Sequence, residues 1–171
     1  YSMYINKNIF KPASNAKKSF DLVFAGRLVP NKGLALLLEA FDNAWKMMPD
    51  ISLAINGEGP LKNWLIKNIK HKKSGKNIFY RPYVKTLADV ADLYNQSKIV
   101  VCSSYAEGGP LFVLEAMSCG LPVVSTPVGL MKEIVRNGEN GFLLKSWDVK
   151  EMTEKIFQLL SSPTLYAWCS R

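Results

Sequence analysis

The chain has 171 residues, 48% hydrophobic and 21% charged, a composition that suits a globular domain and excludes a disordered polyelectrolyte. No run approaches the ~18 consecutive apolar residues of a membrane-spanning helix, and residues 1–11 carry no apolar stretch of signal-peptide type. Basic residues outnumber acidic ones 22 to 14, a net charge of +8 that calls for an anionic partner, while the three cysteines follow no metal-ligand spacing.

Position 1 is Tyr rather than Met, so the chain is expected to be a piece of a longer one. Residues 1–19, with Asn6, Asn8, Pro12, Ser14 and Asn15, are expected to form an entering linker. The first strand is predicted over Asp21–Ala25. Leu34, Leu37, Leu38, Phe41 and Trp45 then recur at helical spacing. A second strand is predicted over Ile51–Asn56, and Leu61, Trp64, Leu65 and Ile69 repeat the helical pattern. A third strand over Asn77–Tyr80 precedes a helix with an apolar face of Leu87, Val90, Ala91 and Tyr94. The fourth strand, Ile99–Ser103, leads through a loop into a helix containing Phe112, Glu115 and Cys119. Strands over Pro122–Ser125 and Gly141–Leu144 follow. A last helix carries Met152, Ile156, Leu159 and Leu160, stops near Pro163 and leaves 162–171 as a tail. Alternating strands and helices, some strands apolar throughout, predict one doubly wound, Rossmann-like α/β domain. It would hold a parallel sheet of about six strands with helices on both faces.

In such sheets ligands bind outside the carboxyl ends of the strands, so the loops there are the places to look. Gly26-Arg27 and Lys32-Gly33 put two cations at the start of a helix, where the dipole opposes them unless an anion lies between. A diphosphate would satisfy both; two surface cations at a turn are the alternative. Asn56-Gly57-Glu58-Gly59-Pro60 contains Gly-x-Gly without the third glycine of a dinucleotide fingerprint, and a tight turn with proline at the first helical position also explains it. The loop from Ser103 to Leu111 holds Glu107, and Gly108 and Gly109 leave backbone N–H groups bare at a helix start. Glu115 follows on that helix. Two carboxylates and amide donors suit a sugar nucleotide, whereas a capping acid and a solvated charge are the bland alternative. The Ser125–Gly129 stretch looks mainly like turn chemistry.

Lys62, Lys67, Lys70, Lys72, Lys73 and Lys76 form a basic cluster that reads first as a solvated helix face. It lacks interleaved aromatics or a reading motif, so no nucleic-acid partner is expected.

In combination these segments resemble the retaining, nucleotide-sugar-dependent glycosyltransferases of the family 4, or group 1, type, which have two-domain GT-B architecture. The resemblance rests on Gly26-Arg27 with Lys32-Gly33, on Asn56 to Pro60, and on Glu107 through Met117. Cys119-Gly120-Leu121-Pro122-Val123-Val124 and Glu133 through Gly141 complete it, from about Ile5 to Leu160. It implies that residues 20–161 are the nucleotide-sugar-binding domain and that the acceptor-binding N-terminal domain precedes this chain. Arg27, Lys32 and Glu107 would be the catalytic residues, the cations on the donor diphosphate and the carboxylate on hydroxyls of the transferred sugar. Gly26, Gly108, Gly109, Pro110, Leu111 and Phe112 would hold phosphate and sugar, Glu115 the ribose, and Tyr83 and Val84 the base. The resemblance also implies no required metal and no cofactor beyond a UDP- or GDP-linked sugar as substrate, with which the absence of an Asp-x-Asp agrees.

Gly109 stands where many relatives have phenylalanine, and by the resemblance the C-terminal helix that crosses back to the N-terminal half is expected to be cut short at Ser170-Arg171. The resemblance further implies a cytoplasmic enzyme acting on a glycan or lipid-linked acceptor, with the lysine cluster a candidate for peripheral contact at the inner membrane face. This chain alone would transfer poorly or not at all. The alternative from another class is a non-catalytic sugar-nucleotide-binding or regulatory module.

Overall fold

The computed structural model describes residues 5–82, 84 and 86–170. In the first strand Leu22, Val23 and Phe24 are all fully buried, although neighbouring side chains of a strand point to opposite sides. Such a strand needs cover on both faces, which is the setting of a parallel sheet. The sheet consists of β1 (Phe20–Ala25), β2 (Leu53–Asn56), β3 (Ile78–Arg81), β4 (Ser97–Cys102), β5 (Val123–Ser125) and β6 (Gly141–Leu143). The spatial order is β3-β2-β1-β4-β5-β6 and every pairing is parallel. Leu22 sits level with Leu53 on one side and Ile99 on the other, so the core's widest layer crosses β2, β1 and β4.

The helices are α1 (Leu34–Met47), α2 (Lys62–His71), α3 (Leu87–Asn95), α4 (Leu111–Ser118), α5 (Met131–Ile134), α6 (Val149–Ser161) and α7 (Pro163–Cys169). Leu34, Leu37, Leu38, Phe41 and Ala44 are buried along one face of α1, which packs on α6. The Thr153 hydroxyl of α6 donates to the Ala40 carbonyl oxygen across that contact, at 3.3 Å. On the other side α3 and α4 pack on each other and on β4. A capping box fixes the start of α3: Thr86 Oγ1 accepts from the Asp89 N–H while Asp89 Oδ2 accepts from the Thr86 N–H, both at 3.1 Å.

The predicted alternation of strands and helices is the one observed, and three local differences have physical reasons. The second strand begins at Leu53 rather than Ile51, because the Ile51 N–H closes a turn onto the Met48 carbonyl. Residues 162–171 contain a helix, not only a tail: the Ser162 hydroxyl accepts from the Leu165 N–H, and Pro163 opens α7. Proline suits a first helical turn as well as a helix end, because the N–H it lacks has no intrahelical partner there. Within the stretch expected to be a linker, Phe10 is buried, with its ring centroid 6.1 Å from that of Tyr94. The Asn95 carboxamide at the end of α3 binds that stretch from both sides, accepting from the Ala13 N–H and donating to the Lys11 carbonyl.

Candidate functional site

The strand order reverses direction at β1, whose two neighbours, β2 and β4, lead into different halves of the sheet. The loops leaving β1, β2 and β4 therefore diverge and leave a crevice at their carboxyl ends.

The loop after β1 is held to the loop after β2 by backbone bonds. The Gly26 N–H donates to the Asn56 carbonyl at 2.9 Å and the Leu28 N–H to the Glu58 carbonyl at 2.8 Å. Leu28 is a buried plug between them, which leaves Arg27 exposed at the rim. The chain then turns through a short 3-10 segment, Pro30–Lys32, and enters α1 at Gly33. Gly33 has φ 64°, and a Cβ there would lie 1.9 Å from the Ser103 carbonyl oxygen. Both the backbone conformation and the space admit only glycine, and the close approach brings the β1 loop against the β4 loop.

Three further bonds join those two loops. The Tyr105 N–H donates to the Asn31 carbonyl at 2.7 Å, Asn31 Nδ2 to the Ala106 carbonyl at 3.2 Å, and the Ser103 hydroxyl to the Lys32 carbonyl at 2.8 Å. Across the seam the Lys32 ammonium is ion-paired with Glu107 Oε1, their side chains 14% and 15% exposed. Glu107 Oε1 also accepts from the Ser104 hydroxyl at 3.1 Å. The Lys32 ammonium lies 5.5 Å from the centroid of the Phe112 ring. Behind Glu107 the loop is braced by the Leu130 N–H on the Gly108 carbonyl, and by Thr126 Oγ1 and Trp147 Nε1 on the Ser104 carbonyl. Gly129, at φ 40°, makes this bracing possible, since a Cβ there would meet the Glu107 and Gly108 carbonyl oxygens at 2.2 and 2.1 Å.

No side chain caps the first turn of α4, which starts after Pro110. Glu115 is half-buried on this helix, and its Oε2 accepts from the Tyr94 hydroxyl at 3.3 Å. Burial holds the Glu115 carboxyl above the usual carboxylate range, with the Tyr94 hydrogen bond acting the other way. Burial and the neighbouring carboxylate push the Tyr94 phenol far up, so it stays a donor.

Between these elements lies a cavity of about 360 Å³ lined by Ala25, Gly26, Arg27, Asn56, Gly57, Glu58, Leu87, Val90, Tyr94, Phe112 and Glu115. That is near the lower end for small-molecule sites. A larger cavity of about 520 Å³ lies at the opposite, amino ends of the strands, among residues that include Lys18, Asp21, Ser52 and Lys98. There Asp21 is already engaged by Lys98 at 2.7 Å and by the Ser52 N–H and hydroxyl. Its polar groups answer one another, and the loops that position side chains are all at the other end.

Of the residues expected from the sequence, Gly26, Arg27, Phe112 and Glu115 line the crevice cavity, and Lys32 and Glu107 form the ion pair beside it. Gly108, Gly109, Pro110 and Leu111 carry the chain from that ion pair into α4, with Pro110 buried and Leu111 48% exposed. They are not among the residues lining the cavity, and neither is Val84, which is half-buried. Tyr83 lies outside the described residues.

The sequence reading gave the Asn56 side chain no role, taking the residue as the end of a strand and the head of the Gly-x-Gly turn, and took Tyr94 and Val90 only as core. Asn56 is 4% exposed, and its Oδ1 is buried without a hydrogen-bond partner among the described residues; such a group costs ~1–3 kcal/mol. Its signal was available: asparagine is depleted in strands, and here it closes one beside a glycine-rich turn. Leu87 was assigned to an apolar stripe yet is 52% exposed, because it stands at the mouth of the cavity. Among the described residues no group of three His, Cys, Asp or Glu is placed to hold a metal ion.

Comparison with known proteins agrees with this architecture. The family model for glycosyl transferases group 1 matches residues 6–171. The crystal structure of the C-terminal domain of a group 1 family glycosyl transferase, LpcC from Francisella tularensis, superposes with a TM-score of 0.87 at 26% identity. It covers 98% of this chain and 93% of that one. A TarM variant from S. aureus, solved with fondaparinux, alpha-GlcNAc-glycerol and UDP, gives 0.85 at 27% identity over 95% of this chain and 32% of its own. In sequence, the poly(ribitol-phosphate) alpha-N-acetylglucosaminyltransferase of Staphylococcus aureus is 29% identical over 163 residues, 92% of this chain. The chain spans only 32% of that relative's length. With the match running along nearly all of its residues and through every loop of the crevice, the chain belongs to the group 1 glycosyltransferases.

Proposed function

We propose that this chain is the donor-binding half of a retaining glycosyltransferase, which moves a sugar from a nucleoside diphosphate to a glycan or lipid-linked acceptor. One observation carries the reading: the β1 loop, the β4 loop and α4 bring Arg27, Lys32, Glu107 and Glu115 to one crevice. Two cations and two carboxylates facing the same space match the charge pattern of a nucleotide sugar.

In this reading the diphosphate lies along Gly26 and between Arg27 and Lys32. As the bond from the sugar's anomeric carbon to the β-phosphate oxygen breaks, negative charge grows on the departing diphosphate. Lys32, held in advance at the seam between the β1 and β4 loops, and Arg27 at the rim stabilise that charge. They fill the place a divalent ion takes in other transferases, and the reaction requires no metal. Glu107 orients the transferred sugar through its hydroxyls. Backbone N–H groups of Gly109, Leu111 and Phe112, at the uncapped start of α4, hold sugar and phosphate oxygens. Glu115, with one oxygen fixed by Tyr94, accepts from the ribose hydroxyls. Val84 borders the base.

The acceptor is bound by a further domain that precedes this chain in the longer protein, and the chain alone turns over little or not at all. We place the enzyme in the cytoplasm, in peripheral contact with the inner face of the membrane. One feature supports the membrane contact: four lysines are exposed on and after α2. Lys62 and Lys72 are paired with Glu58 and Asp42, whereas Lys67, Lys70, Lys73 and Lys76 face solvent without a carboxylate partner among the described residues.

Calorimetric titration with UDP, GDP, UDP-glucose and GDP-mannose tests the reading. Binding of one nucleotide series, lost in Arg27→Ala, is the expected result. No heat with any of the four, in a folded chain, overturns it.

A further inference from the structure

The Asn56 side chain has no evident work to do for the fold. It closes β2 at the carboxyl end of the sheet, 4% exposed, with Oδ1 buried and unbonded. Its backbone is fully used, the carbonyl accepting from Gly26 and the residue pairing in register with Ala25 on one side and Arg81 on the other. An asparagine retained for local structure caps a turn or bonds a neighbouring chain. A valine in this place would serve a parallel strand better. A buried polar atom without a partner among the described residues is best explained by a partner that comes from outside.

The surroundings indicate which part of a ligand that is. Asn56 lines the crevice cavity together with Gly57 and with Leu87 and Val90 of α3. Arg81, its register partner, begins the stretch that continues through Pro82 to Val84 and into α3. From α3 the apolar side chains of Leu87 and Val90 enter the same cavity. A planar heterocycle needs apolar cover for its faces and hydrogen-bond partners for its edge, and this wall offers both. The cationic side chains that suit phosphate lie on the β1 loop, and the carboxylate that suits ribose lies on α4.

We infer that Asn56 reads the nucleobase of the donor, its carboxamide hydrogen-bonding the polar edge of the base while Leu87 and Val90 cover a face. The inference rests on the nucleotide-sugar reading above and adds to it a residue that selects among nucleotides. A carboxamide carries an acceptor and a donor side by side, so it fits a base edge with N–H next to C=O. Such an edge occurs in uracil and in guanine at different reach, and a single fixed carboxamide discriminates between them.

The test is calorimetric titration of the chain and of Asn56→Val with UDP, GDP and inorganic pyrophosphate. The substitution is expected to weaken the preferred nucleoside diphosphate about tenfold, ~1.4 kcal/mol, and to bring UDP and GDP closer together in affinity. Pyrophosphate binding stays unchanged, and the melting temperature holds or rises because an unpaired buried polar group is gone. If valine disturbs the strand, Asn56→Ala gives the same comparison without added bulk. Equal losses for pyrophosphate and both nucleotides would mark a structural residue and overturn the inference. So would unaltered nucleotide binding in Asn56→Val when Arg27→Ala abolishes it, a result that leaves the donor-site reading standing. A folded, unaltered chain that binds neither UDP nor GDP overturns both.

Discussion

Replacing Glu107 with glutamine removes the charge that holds Lys32 while keeping the size of the side chain and an oxygen that accepts from Lys32 and Ser104. With the two side chains 14% and 15% exposed, the pair sits well inside the range where water no longer screens it as on an open surface. A diphosphate arriving at Lys32 must share the ammonium with a carboxylate that already holds it. Lys32 keeps its charge, so its bond to the glutamine oxygen stays charge-assisted and only the ion-pair attraction is removed. For a pair of this exposure that frees ~1 kcal/mol for the incoming phosphate, a gain of about fivefold in affinity. Glu107→Gln should thus bind bare UDP or GDP more tightly than the unaltered chain. The sugar-linked form should gain less, because the carboxylate contact to its hydroxyls is weakened. Had Glu107 touched only the sugar, bare nucleotides would be indifferent to it; the ion pair adds the second effect. Titration calorimetry at low and physiological salt measures both ligands, with the gain expected to shrink as salt screens the pair. Weaker binding of the bare nucleotide by Glu107→Gln would refute the argument, because it would mean that Glu107 places Lys32 for phosphate rather than competing for it.

Arg27 is exposed at the cavity rim, so Arg27→Ala should leave the melting temperature within about 1 °C while weakening nucleoside diphosphates roughly tenfold or more; calorimetry beside a thermal melt separates the two. Glu115 is held above the usual carboxylate range by burial, so the folded chain binds its proton more tightly than the unfolded one. Stability from this group is present at pH below the ordinary glutamate value and is lost as pH rises from there through the raised folded value. Glu115→Gln should therefore stabilise the chain at neutral pH, with the gain disappearing in acid melts, and should still weaken nucleotide binding. All three cysteines are buried and unpaired, and burial pushes the Cys119 thiol up to about 11. Alkylation of Cys119 should be slow in the folded chain and fast in denaturant, and mass spectrometry of the labelled cysteine decides it. Gly129→Ala would drive a methyl group into the Glu107 and Gly108 carbonyls at a positive φ, and a loss of about 2 kcal/mol in denaturant melts is expected together with weaker nucleotide binding.

The sequence by itself determined the order of elements and the addresses of the loops. Hydrophobic period separates a buried strand such as Ile99 to Cys102 from an amphipathic helix such as the one carrying Leu34, Leu37 and Phe41, and both signals are local. Parallel topology followed from the alternation, and with it the end of the sheet where Arg27, Lys32, Glu107 and Glu115 belong. Local signals failed where one residue answered to a distant partner. Phe10 is buried because Tyr94 is there to receive it, and Leu87 is exposed because a cavity opens beside it. Only the folded chain decided that Lys32 and Glu107, 75 positions apart, neutralise each other before any ligand arrives. The same holds for the Tyr94 hydroxyl on Glu115 and for the unpartnered Asn56 beside the cavity. Each depends on the distance between loops from different strands, and that distance is set by packing and by close approaches such as Gly33 on Ser103, which leave no periodic trace in the sequence.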